Sequence, residues 1–215
     1  MSIFISSSCR LGSLITPRPY HHLLHHTHNT KEFIQYINYI EGKIEIPHNL
    51  KKKVFRRVFM GGMNPNEIRK DILLKEYNES QYIVLEICSQ KIYEENGIYL
   101  HHLAAGAGDN VSQSELFSDN CKIQSQELLN IDLQSIKAIV GNKQLLIVSH
   151  INPFGFEKRQ LFIDQLESTC NDLNINFLNL SKLIKPEHVA DANHLKKTGH
   201  NIVSQAVKDT LKKDF

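Results

Sequence analysis

Two patterns of apolar residues alternate along the chain. Short and nearly unbroken apolar runs fall at residues 3–5, 82–88, 144–149 and 175–180, each ending in polar residues, as strands buried on both faces do. Between them the apolar positions recur with helical period. Phe33, Ile34, Ile37 and Ile40 follow Asn29 and Thr30 as candidate N-caps and precede Gly42 as a stop, which predicts a helix from about residue 30. A second helix is expected over 125–140. A third, over 158–173, rests on Leu161, Phe162, Gln165, Leu166 and Thr169, and a terminal one, over 197–212, on Ile202, Val203, Ala206 and Val207. The charged stretch 44–78 carries Gly61-Gly62 and Asn64-Pro65-Asn66, and is expected to hold a short strand near 54–60 and a helix beginning near Asn66. Residues 91–142 are expected to be a long polar segment with a Gly106-Ala107-Gly108-Asp109-Asn110 loop before the 125–140 helix. Strands alternating with helices predict an α/β protein: a three-layer sandwich whose mostly parallel, flavodoxin-like sheet is flanked by helices.

Composition narrows the class without changing this picture. The 215 residues are 41% hydrophobic and 22% charged with a net charge of +2, long enough for one domain to build its own core without staples. Cys9, Cys88, Cys121 and Cys170 are scattered with no CxxC spacing, which excludes a zinc finger and predicts reduced thiols in a cytoplasmic compartment. Ser2 to Ile5 is followed at once by polar residues, unlike a signal peptide, and no run of ~18 apolar residues predicts a membrane span. The basic run Lys51-Lys52-Lys53 with Arg56-Arg57 is short and diluted by acids elsewhere, so no nucleic-acid or membrane partner is expected. His21, His22, His25, His26 and His28 crowd together, and on a helix some would pair one turn apart as zinc ligands do. No carboxylate or cysteine within the cluster closes a tetrahedral site, so no metal and no cofactor are assigned. His101-His102 reads as an exposed loop. The Gly106-Ala107-Gly108 loop lacks the third glycine of a dinucleotide fingerprint and the lysine of a P-loop.

Ligands of parallel α/β sheets bind outside the carboxyl ends of the strands. Four segments are expected there: Ser6-Ser7-Ser8-Cys9-Arg10, Cys88-Ser89-Gln90, Ser149-His150-Ile151-Asn152-Pro153, and Asp191-Ala192-Asn193-His194. A hydroxyl or thiol needs a base to take its proton, and the base needs a third group to hold its tautomer. Asp191 and His194, three residues apart and ahead of the last helix, suit that pair. His150 is the reserve base.

An early strand ending in a serine turn, with Gly12 four residues after Ser8, and a late Asp191-Ala192-Asn193-His194-Leu195 followed by Gly199 and a final helix, together resemble the SGNH (GDSL-like) hydrolase superfamily. The family's first block has the form Gly-Asp-Ser-x-x-x-Gly and its last the form Asp-x-x-His. Here Ser6 and Ser7 stand in place of Gly-Asp, and Glu86-Ile87-Cys88-Ser89-Gln90 in place of Gly-x-Asn-Asp. The resemblance implies a single SGNH-like domain over 1–215, with a variable His-rich and charged insertion around 17–80. It also implies Ser8 as nucleophile, with Cys9 the alternative because Ser7-Ser8-Cys9 is similar to the Gly-Ser-Cys turn of some relatives. Arg10, Ser89, Gln90, Gly62 (or Gly61) and Asn152 are the candidates for substrate or oxyanion contacts. The expected activity is that of an acyl-ester hydrolase or acyltransferase acting on a small-molecule or glycan ester. The alternatives are a catalytically degenerate ligand-binding protein and a His-rich metal-binding protein.

Overall fold

The computed structural model describes residues 2–8, 10–11, 27–55, 68–101 and 121–212. In chain order the elements are β1 (Ile3–Ser6), α1 (Thr30–Ile40), α2 (His48–Val54), α3 (Lys70–Glu79), β2 (Tyr82–Ile87), β3 (Lys91–Glu95) and β4 (Ile98–Leu100). They continue with β5 (Cys121–Ile123), α4 (Gln126–Val140), β6 (Gln144–Ser149), α5 (Glu157–Asp172), β7 (Asn176–Leu178) and α6 (Lys197–Lys212).

Strands β1, β2, β6 and β7 form a parallel sheet in that order, with Ile3 opposite Tyr82, Val84 opposite Leu146 and Ile147 opposite Phe177. Every residue of β2 is buried, which is why its sequence reads as an unbroken apolar run. The strand alternation divides the core in two. Phe4, Ile83, Leu85, Leu145 and Ile147 pack with α1, α4 and α5 through Phe33, Ile37, Leu129, Leu133, Phe162 and Leu166. Ile5, Val84, Leu146 and Val148 pack on the opposite face with Val203, Val207 and Leu211 of α6. The result is a three-layer α/β fold, as the alternation predicts.

Local chemistry sets the helix starts where the sequence places them. Asn29 caps α1 by accepting the Glu32 N–H, and Ser125 caps α4 by accepting the Leu128 N–H. Three expectations need correction. Val54 ends helix α2 instead of opening a strand, while 56–67 lie outside the described residues. Strand β7 stops at Leu178 because the Asn179 side chain accepts the Ser181 N–H and turns 180–182 into a 3₁₀ turn. The segment after residue 90 forms a second, antiparallel sheet in the order β4-β3-β5. Its hairpin turns at Asn96 and Gly97, both at positive φ (53° and 79°).

Candidate active site

The carboxyl ends of β1, β2 and β6 bring three of the expected segments to one edge, and side chains tie the fourth to them. The fourth is a tight loop between the Val189–Leu195 bridge partners, closed by Ala190 N–H to the His194 carbonyl at 2.8 Å and Lys196 N–H to the His188 carbonyl at 2.9 Å. Inside it Asp191 accepts the N–H groups of Asn193 (2.8 Å) and His194 (2.9 Å) and contacts His194 Nδ1 at 2.8 and 2.9 Å. A carboxylate only accepts, so Nδ1 carries the proton and Nε2 presents its lone pair. These bonds, first the Asn193 N–H and then His194, hold the Asp191 carboxyl below its ordinary value. More than half of each side chain is open to solvent. No hydrogen bond joins His194 to Ser8 among the described residues.

The turn after β1 is organised by a residue that the sequence reading passed over. Glu86, fully buried on β2, accepts the Ser8 N–H at 2.9 Å and the Ser8 hydroxyl at 2.6 Å, and pairs with Arg10 Nε. Arg10 also donates from Nη1 to the Asn193 carbonyl at 3.1 Å, and its own carbonyl lies 3.1 Å from His200 Nδ1 on the first turn of α6. A second guanidinium approaches the same loop from α5. Arg159 donates to the carbonyls of Ile151 (3.1 Å) and Ala192 (2.8 Å) and to Asn193 Oδ1 (3.0 Å). It forms no ion pair with a carboxylate among the described residues. Burial, and then repulsion from Arg10, lower its pKa.

His150 is buried, with Nδ1 2.6 Å from the Ile151 carbonyl, so the proton sits on Nδ1. Burial, then the charges of Arg10 and Arg159, depress its pKa well below the usual histidine value, and the ring is neutral. Asn152 shapes the following loop: its Oδ1 accepts the Phe156 N–H at 2.9 Å and its Nδ2 donates to the Phe156 carbonyl and Gln160 Oε1. The N–H groups of Cys88 and Ser89 both donate to the His28 carbonyl at 3.0 Å, and the Ser89 hydroxyl accepts the Lys91 N–H. Gln90 Nε2 donates to Gln165 Oε1 at 3.0 Å. Burial pushes the Cys88 thiol far above its ordinary pKa, the Arg10 charge opposing and the Glu86 charge adding to it.

Cys9, Gly12, Gly61, Gly62, His21, His22, His25, His26 and His102 lie outside the described residues. His28 and His101 lie inside, and His101 is buried where an exposed loop is expected, because its ring packs edge to face on that of His28 at 4.5 Å. Among the described residues no group of three or more His, Cys, Asp or Glu is placed to hold a metal ion, and no helix is long and apolar enough to cross a membrane.

With this geometry in place, comparison with known proteins adds one family. The TviD N-terminal domain family matches residues 16–108, under half of the chain. That span includes α1 to α3 and Glu86 but neither Ser8 and Cys9 nor Asp191 and His194. A solved crystal structure superimposes with a TM-score of 0.39 at 10% identity, over 74% of this chain and 70% of that one, a likeness too low to carry an argument. No curated protein matches the chain in sequence.

Proposed function

We propose that the protein transfers or hydrolyses acyl esters, with a nucleophile on the β1 turn, Ser8 or Cys9, and His194 as the base held by Asp191. The observation that carries this reading is the Asp191–His194 contact at 2.8 Å, which leaves Nε2 as the free lone pair on a loop that Arg10 ties to the same turn. The nucleophile's proton passes to His194 Nε2 as oxygen or sulfur attacks the acyl carbonyl. His194 then returns the proton to the departing alcohol as the tetrahedral intermediate collapses to an acyl-enzyme. Water or a sugar hydroxyl repeats the sequence in reverse. Arg159, with no carboxylate partner among the described residues, supplies a positive field toward the intermediate's oxyanion. The match to the TviD N-terminal domain, related to a Vi-antigen acetyltransferase, supports the acyltransferase side of this reading.

Ser8 acts as nucleophile only if its hydroxyl exchanges Glu86 for His194, because it now donates its hydrogen bond to the Glu86 carboxylate at 2.6 Å. The test is turnover of an aryl acetate. His194→Ala is expected to fall to the background rate, and Asp191→Asn to lose roughly 10³–10⁴-fold by freeing the tautomer. Undiminished turnover in His194→Ala contradicts the proposal.

A further inference from the structure

The Asp191–His194 loop is exposed, yet a general base works only when its nitrogen is aimed at the nucleophile to within a fraction of an ångström. Its own bonds shape the loop but do not place it relative to the β1 turn. Val189 and Leu195 at its ends share a core with Ile5 and Leu11, and a polar link to the turn runs through one buried carboxylate. Glu86 is the one acidic residue in β2 and has no exposure to water. A charge at such a position is retained only with partners, and its partners are both donors of Ser8 and the Nε of Arg10. The other end of the same guanidinium reaches the Asn193 carbonyl, one residue before His194, and the Arg10 carbonyl meets His200 just after the loop. Two donors on a rigid planar group span the gap from Glu86 to Asn193. A lysine ammonium, being a point charge on a flexible stem, does not hold both ends in one orientation.

From this geometry we infer that Glu86 and Arg10 are positioning residues, a buried clamp that sets the Asp191–His194 pair relative to the Ser8–Arg10 turn. The inference rests on the acyl-transfer reading for its catalytic meaning, but the clamp itself is measurable without a substrate. It holds whichever of Ser8 and Cys9 attacks, since Glu86 bonds Ser8 and Arg10, the two residues that flank Cys9 in sequence. Arg159 ties the loop to α5 independently. Removing Arg10 therefore misplaces the base against the turn and leaves the loop attached to the rest of the molecule.

The experiment compares wild type with Arg10→Lys, Arg10→Ala and Glu86→Gln by two readouts: amide hydrogen exchange of peptides across residues 189–196, and steady-state turnover of an aryl acetate. The clamp predicts faster exchange confined to 189–196 in all three variants, with strands β2 and β6 unchanged. It further predicts a kcat lower by about a hundredfold with KM little altered, and partial restoration by added methylguanidinium in Arg10→Ala but not in Glu86→Gln. Should Glu86→Gln fail to fold, the two Arg10 variants carry the same test. Wild-type exchange at 189–196 in both Arg10 variants overturns the clamp. Wild-type protein without turnover, alongside a loosened loop in the variants, overturns the acyl-transfer reading and leaves the clamp standing.

Discussion

Three carboxyl groups in this protein sit in different surroundings, and their surroundings assign their work. Asp191 is exposed and surrounded by donors, so it stays ionised and orients His194. Glu86 is buried but meets a guanidinium and two further donors. Glu32 is buried with the N–H of His28 and the amide of Asn29 as hydrogen-bond donors and the His28 ring Nδ1 3.6 Å away, and desolvation raises its pKa from 4.5 to about 8. The sign of the consequence follows from linkage. Between about pH 4.5 and 8 the unfolded chain has released this proton while the folded chain keeps it, so Glu32 makes stability fall as pH rises through that window. Urea unfolding of Glu32→Gln is expected to lack that slope and to exceed wild type above pH 8 by on the order of a few kcal/mol; parallel pH profiles contradict the assignment. At this scale the Asp191–His194 pair was legible because three-residue spacing in a loop is a local property. Glu86 was not, although its signal was present. An acid inside the otherwise buried 82–87 run has to find a partner, but which partner depends on Arg10, 76 positions away, and on the fold that joins them. Arg159 left no signal at all, being one of several charged residues on an amphipathic helix.

Helices were read from sequence more accurately than the short strands, for a physical reason. The helices α1, α4, α5 and α6 each bury one face over 11 to 16 residues, so the period repeats often enough to show, and side-chain caps mark the starts of α1 and α4. Strand β5 has three residues, none fully buried, and carries no alternation to read. The Asn96-Gly97 turn was the available clue to the β3–β4 hairpin. One helix also bears directly on the site. Gly199, in the first turn of α6, has no room for a Cβ, which would lie 2.5 Å from the His188 carbonyl oxygen and 2.9 Å from Leu195 Cδ2. The first is a backbone atom and the second a side-chain atom, and both residues flank the Asp191–His194 loop. Gly199→Ala is therefore expected to destabilise by about 1–3 kcal/mol and to alter the His194 ring environment, read by denaturant unfolding and by imidazole NMR shifts. Unchanged stability with unchanged shifts contradicts the close packing.

Over the whole molecule, the two ends of the sequence meet at one edge of a single parallel sheet, and the middle supplies the buried acid that joins them. The TviD N-terminal domain match falls on that middle, residues 16–108. The acyl-transfer chemistry proposed here uses residues outside the matched span, with Glu86 as the link between the two. Order along the chain made this edge legible, since each candidate segment directly follows a strand or precedes the last helix. The bonding at the edge was not, because Ser8 is engaged by Glu86, and the Ser89 amide by His28, through contacts distant in sequence. The most direct test is peptide mapping of the covalent adduct trapped by acid quench during turnover of an aryl acetate. The account predicts an acetyl group on Ser8 or Cys9 in the wild type and none on either residue in His194→Ala. An acetyl group absent from both in the wild type, or present equally without His194, contradicts it.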